Sequence, residues 1–295
     1  MSTHNLLIIG ATGNVGGHVI DALRHSDNAN IFAGIRRMSQ ASEFANQGIT
    51  PVHLDLDDVS TLPNALQNTD SLLLITGYTV DMIKQSKRVI DAAKVAGVKH
   101  IVHIGASGNN TTEVAHWGWH RMIEAYIEQQ GFDFTHIQPE AFMQNITQFG
   151  WLSSNGLVNL LKQAVWSWVD AKDVAAIAAA ALANPEPFKN QVWRLGYDKA
   201  SIEDVANALN KVLGLHLTTQ PLDPNTFYTS AVSSGADAAY MSCIRDQFLL
   251  NGEGKIRDAD ATFDKDAFKQ AIGRYPTTWM EFIEREKASL VGAVQ

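Results

Sequence analysis

Cysteine is nearly absent from these 295 residues. Cys243 stands alone, so neither an intramolecular disulfide nor a cysteine-based zinc site can form, which fits a reducing compartment. Charge is sparse too: Asp, Glu, Lys and Arg make up 18% of the chain, and 23 basic side chains against 31 acidic ones leave a net −8. That sign opposes the counterion release that drives nucleic-acid binding, and no Lys/Arg-rich run offers a local exception. No apolar stretch could cross a bilayer, and Met1-Ser2-Thr3-His4-Asn5 lacks the basic-then-apolar pattern of a secretory signal. The expectation is a soluble, cytoplasmic protein with neither a nucleic-acid nor a membrane partner. Hydrophobic residues, at 45%, suffice for one or two cores without metals or disulfides.

What the chain does have is a rhythm. Short branched-apolar runs recur at Leu6-Ile9, Ile31-Ile35, Thr50-Leu54, Ser71-Ile75, His100-Ile104 and Phe134-Ile137. Between them lie segments of helical spacing, such as Val15, Val19, Ala22 and Leu23, which share one face. Alternation of this kind predicts an α/β fold, a doubly wound parallel sheet with helices on both faces and ligands beyond the carboxyl ends of its strands. After about Gly150 the rhythm changes. Trp166-Val169 and Val192-Leu195 read as strands, Ala171-Ala183 and Ile202-Leu213 as helices, and Gly214 as a helix stop. The expected division is a nucleotide-binding domain over 1–150 and a smaller, mainly helical substrate lobe over 151–295, interleaved so that the 192–195 strand joins the main sheet.

Gly10-Ala11-Thr12-Gly13-Asn14-Val15-Gly16 closes the first strand and opens the first helix. Glycines at such a turn let a pyrophosphate approach the backbone, and the helix N-terminus offers it N–H groups and a positive dipole end. Gly10, Thr12, Gly13, Asn14, Val15 and Gly16 are therefore the expected dinucleotide diphosphate site, with Gly16 allowing the helix to pack close. At the end of the second strand, where an acidic residue would select NAD, the chain reads Gly34-Ile35-Arg36-Arg37. Arg36 and Arg37 suit a 2′-phosphate, so NADP(H) is preferred over NAD(H), the alternative being two solvated surface arginines. Asp55 offers an acceptor for the adenine amino group or, equally, a loop or capping carboxylate.

Taken together, the Gly10/Gly13/Gly16 turn, Arg36-Arg37, Thr76-Gly77, Gly105-Ala106-Ser107, Gln138-Pro139-x-x-Phe142-Met143-x-Asn145 and Tyr275-Pro276-Thr277-Thr278-Trp279-x-x-Phe282 resemble the NmrA-like family of atypical short-chain dehydrogenases/reductases. The resemblance implies a Rossmann domain with a smaller C-terminal substrate domain. It also implies one of two activities: NAD(P)H-dependent reduction of a quinone, dye or ether, or a cofactor-binding redox sensor that acts through a protein partner. In this frame Thr76, Gly77 and Gly105 flank the adenosine and nicotinamide halves of the cofactor, and Pro139 shapes the loop near the nicotinamide. The wider superfamily places Tyr-x-x-x-Lys at the start of the fifth helix. The matching segment here is His116-Trp117-Gly118-Trp119-His120, with neither residue present.

Chemistry remains open to such a site, because a quinone or other conjugated acceptor needs little acid assistance. His116 is the candidate proton donor, and His120 the candidate hydrogen-bond donor to the ribose or tuner of its neighbour. Both are also readable as polar residues of a helix face. Their i, i+4 spacing is that of zinc-protease helices, but Trp117 replaces the glutamate and no third ligand is evident, so no metal is expected. Trp117 and Phe142 suit a flat aromatic substrate, and Asn145 can orient a substrate oxygen, although core packing and internal hydrogen bonds explain these residues as well. Packing between lobes accounts for Trp166 and Trp168, and capping for Asp170 and Asp173.

Overall fold

The computed structural model describes residues 3–24, 28–108, 111–256 and 263–295. The chain separates into two compact units. One comprises 1–112, 117–138 and 174–194, the other 113–116, 139–173 and 195–295.

The first unit contains strands β1 (His4–Ile9), β2 (Ala29–Ile35), β3 (Thr50–His53), β4 (Ser71–Leu74), β5 (His100–Ile104) and β6 (Asp133–Pro139). Between them run helices α1 (Asn14–Leu23), α2 (Ala41–Ala45), α3 (Leu62–Leu66), α4 (Met82–Ala96) and α5 (Ala115–Gln129). The sheet order is β3-β2-β1-β4-β5-β6, with the later strand Gln191–Leu195 beside β6, and the pairings from β3 through β6 are all parallel. Burial on both faces explains the composition: Leu6, Leu7 and Ile8 in β1, and Leu72, Leu73 and Leu74 in β4, are wholly inaccessible. Strand order reverses between β1 and β4, which opens a crevice at their carboxyl ends. Sequence periodicity placed every one of these six strands to within two residues at each end. β6 runs on through Gln138 and Pro139 rather than stopping at Ile137.

The second unit holds two small sheets, one of Ala141–Phe142, Trp166–Val169 and Asp198–Ala200, the other of Leu152–Ser153, Gly156–Asn159 and Thr219–Pro221. Helices fill the rest, among them Ile202–Leu213, which ends at Gly214 in the left-handed conformation, and Pro224–Ser233, Ala238–Gly252 and Trp279–Arg285. Trp166 and Trp168 belong to this unit's own core. Trp166 stacks on Phe248 at 6.0 Å and Trp168 meets Trp279 edge-on at 5.2 Å. Each indole N–H is satisfied, by Asn251 and by the Ala200 carbonyl. Asp170 and Asp173 do more than cap. Asp170 accepts from Gln144 and Arg285, both at 2.6 Å, as well as from the Lys172 amide. Asp173 binds the backbone N–H of Thr277 and pairs with Arg274, each at 2.7 Å. Two buried carboxylates thus tie the C-terminal segment down. Among the described residues no helix is long and apolar enough to cross a membrane.

Candidate functional site

Where β1 ends, Gly10 takes φ +82°, a conformation L side chains avoid, and its carbonyl accepts the Gly13 N–H at 2.9 Å. Helix α1 then begins with Gly13 as an extended N-cap that has no side chain to bond the first-turn amides, and no acidic residue lies in that turn. No side chain of this turn therefore caps the first amides of the helix. Gly16 is obligatory for another reason: a Cβ there would lie 2.1 Å from the Gly10 oxygen. Thr12 is exposed at the tip, while Asn14 and Val15 are half-buried in the first turn.

The neighbouring strands bring the other candidates of this crevice to the same level. Ile9 pairs with Gly34, so the exposed Arg36 and Arg37 emerge beside the glycine turn. Ile8 pairs with Leu73, which sets Thr76 and Gly77 on the opposite flank, and Leu74 pairs with His103, which brings Gly105 next in line. Asp55 lies past β3, with one carboxylate oxygen accepting the Asp57 amide at 3.0 Å.

Under Gly105 lies a cluster that sequence reasoning did not assemble. His103 and His136 are register partners on β5 and β6 and therefore share a face. On α5, His120, Glu124 and Glu128 recur at every fourth residue, one stripe of the helix. His120 Nδ1 lies 3.3 Å from His103 Nε2, and Glu124 accepts from Gln138 at 2.9 and 3.0 Å and from Arg121. Burial holds His120 down to about 4 and His136 to about 3, the latter helped by Arg121 and His100. Burial, with His120 and His136 alongside, takes His103 well below the ordinary imidazole range. These rings are neutral at physiological pH. His120 can thus donate or accept a hydrogen bond without carrying charge.

His116 lies one turn earlier on α5, buried, with its ring 5.5 Å from that of Tyr240. Trp117 is half-buried and packs near Gly108, where a Cβ would come within 3.0 Å of it. In the second unit, Phe142 ends its short strand and Asn145 opens the helix Asn145–Gln148, both half-buried; Pro139 is buried at the end of β6. Sequence reasoning also missed Arg194, whose guanidinium donates to the Ser107 hydroxyl at 2.9 Å. The partners are 87 residues apart, and only the placement of the late strand beside β6 brings them together.

The profile of the NmrA-like family matches residues 2–283. The chain belongs to this family. The chain is 31% identical over 215 residues to the NAD(P)H azoreductase of Xenophilus azovorans, covering 71% of this chain and 74% of that protein. It is 28% identical over 292 residues to quinone oxidoreductase 2 of Escherichia coli (strain K12), covering 94% and 97%. The crystal structure of the NADPH-dependent quinone oxidoreductase of Escherichia coli with NADPH superposes with a TM-score of 0.79 at 25% identity, covering 95% of this chain and 99% of that one.

Proposed function

We propose that this NmrA-like protein is an NADPH-dependent reductase of quinone-like small molecules. The observation that carries the reading is the uncapped start of α1 behind Gly10 and Gly16, with Arg36 and Arg37 emerging beside it. NADPH fits these residues: the absent Cβ atoms leave room for a diphosphate, the first-turn amides supply donors, and the guanidinium pair supplies charge for a 2′-phosphate. The named relatives, an azoreductase and a quinone oxidoreductase, support the acceptor class.

When bound, the reduced nicotinamide supplies a hydride. The chain's own contribution is placement and proton supply. Thr76, Gly77 and Gly105, at the carboxyl ends of β4 and β5, would border the cofactor along the crevice. His120, oriented by His103, would hold a hydrogen bond to the ribose, and His116 would donate the proton to the reduced oxygen or nitrogen. Trp117 would offer a flat acceptor an aromatic face; in the second unit Phe142 and Asn145 are the further candidates, a ring and an amide. An acceptor whose product is already stabilised by conjugation suits a site with no Tyr-x-x-x-Lys pair.

The test is calorimetric titration with NADPH and NADH, followed by NADPH oxidation at 340 nm over quinones, azo dyes and simple ketones. Tighter NADPH binding and turnover confined to conjugated acceptors are expected. Tight binding with no turnover across that panel would refute the enzymatic reading.

A further inference from the structure

We propose that His103, Glu124 and His136 form a site for one divalent transition-metal ion of the zinc and cobalt class, held between β5, β6 and α5. A ring nitrogen of each histidine and a Glu124 oxygen lie within 4.8 Å of one another, and His103 Nδ1 stands 3.9 Å from Glu124 Oε1. All three side chains are fully buried. Ligands of a tetrahedral ion at about 2.0–2.2 Å stand roughly 3.4 Å apart, so side-chain rotations of the order of 1 Å close the set.

Two observations favour an ion over a merely polar core. His103 Nδ1 and both ring nitrogens of His136 are buried without a hydrogen-bond partner, and His136 Nε2, although 3.3 Å from Glu128 Oε1, is poorly aligned for one. Such nitrogens bear their full desolvation cost unless something binds them. Finally, the surroundings match what ligating groups use. A lone pair at His103 Nδ1 leaves the proton on Nε2, which then donates to His120 Nδ1 at 3.3 Å, and Gln138 steadies the carboxylate.

Gly105 completes the fit. A Cβ there would fall 2.8 Å from Glu124 Oε1 and 3.2 Å from His103 Cε1, so the backbone at Gly105 passes close over the cluster. Two imidazoles and one carboxylate suit zinc or cobalt and not magnesium or calcium, which take oxygen ligands. Arg121 is the opposing influence. Its guanidinium holds the other Glu124 oxygen and repels a cation, but it lies at the solvent edge with 30% of the side chain exposed and can yield.

The proposal stands independently of the reductase reading, and its test uses no turnover. The full chain, stripped with chelator, is titrated with Zn²⁺ against a chromophoric competitor and with Co²⁺ in the visible. One equivalent of Zn²⁺ and a Co²⁺ absorption band of low coordination number are expected. His136→Asn and Glu124→Gln should each weaken Zn²⁺ binding at least about tenfold, the exposed His216→Asn should leave it unchanged, and Arg121→Ala should tighten it. One-equivalent binding that survives both ligand substitutions would overturn the proposal. Should those variants fail to fold, the wild-type melting temperature decides: a rise with Zn²⁺ but not Mg²⁺ supports the site, and no rise together with no Co²⁺ band overturns it.

Discussion

Adding one methyl group at Gly16 and, separately, at Gly17 should move the protein in opposite directions. At Gly16 the new Cβ would lie 2.1 Å from the Gly10 oxygen, 2.7 Å from its carbonyl carbon and 3.2 Å from the Ala11 Cα, all backbone atoms that no rotamer change can clear. Relief requires the helix start to move away from β1 by about 1 Å, an overpacking strain of about 1–3 kcal/mol. The same shift carries the first-turn amides off the diphosphate. Losing one charge-assisted hydrogen bond costs about 1.5–3 kcal/mol, or roughly 10- to 150-fold in affinity. At Gly17 the nearest atom to an added Cβ is the Ala11 oxygen at 4.0 Å. Alanine fits there and should stabilise the helix by about 0.5–1 kcal/mol. Urea unfolding gives the stabilities, and NADPH fluorescence titration the affinities. A Gly16→Ala protein within about 0.5 kcal/mol of wild type that binds NADPH normally, or a Gly17→Ala protein damaged as badly, would refute the reading of this turn.

Arg36→Ala/Arg37→Ala should weaken NADPH by about 10- to 100-fold while changing NADH less than about threefold, because only the 2′-phosphate loses partners; calorimetry with both nucleotides decides. Stability should fall with acid in a defined window. His100 and His120 titrate at about 4 and His136 at about 3 in the folded chain, against about 6.5 unfolded. Above 6.5 both states are neutral and the contribution is intact. Between 6.5 and 4 the unfolded chain alone takes up protons, at about 1.4 kcal/mol per pH unit for each ring. Urea midpoints across this range should show that slope, reduced by about one proton in His136→Asn; an unchanged slope in that variant contradicts the assignment. Asp170→Asn should cost about 2–4 kcal/mol by urea unfolding, since the carboxylate is buried and holds Arg285 and Gln144 at 2.6 Å each.

The opening half of the fold was legible because its signals are local. A strand buried on both faces must be a run of branched apolar residues, and a parallel partner must follow a helix. The glycine turn was legible for the same reason: its spacing is set by one loop, and the structure supplies the φ of Gly10 and the missing Cβ space at Gly16. Arg36 and Arg37 were placed by counting to the end of β2. Family membership followed from the same residues.

The polar interior was settled by tertiary structure alone. His103 and His136 look like unrelated members of two strands until the β5–β6 register places them side by side, and Glu124 looks like a helix-surface acid until α5 turns its stripe onto them. Asp173 reads as a helix-start acid, yet its partners Arg274 and Thr277 lie a hundred residues on. Sequence determines which backbone shapes are affordable at each position. Which distant side chains meet, and so which nitrogens and carboxylates lose their water, depends on the packing of strands and helices that only the folded chain defines.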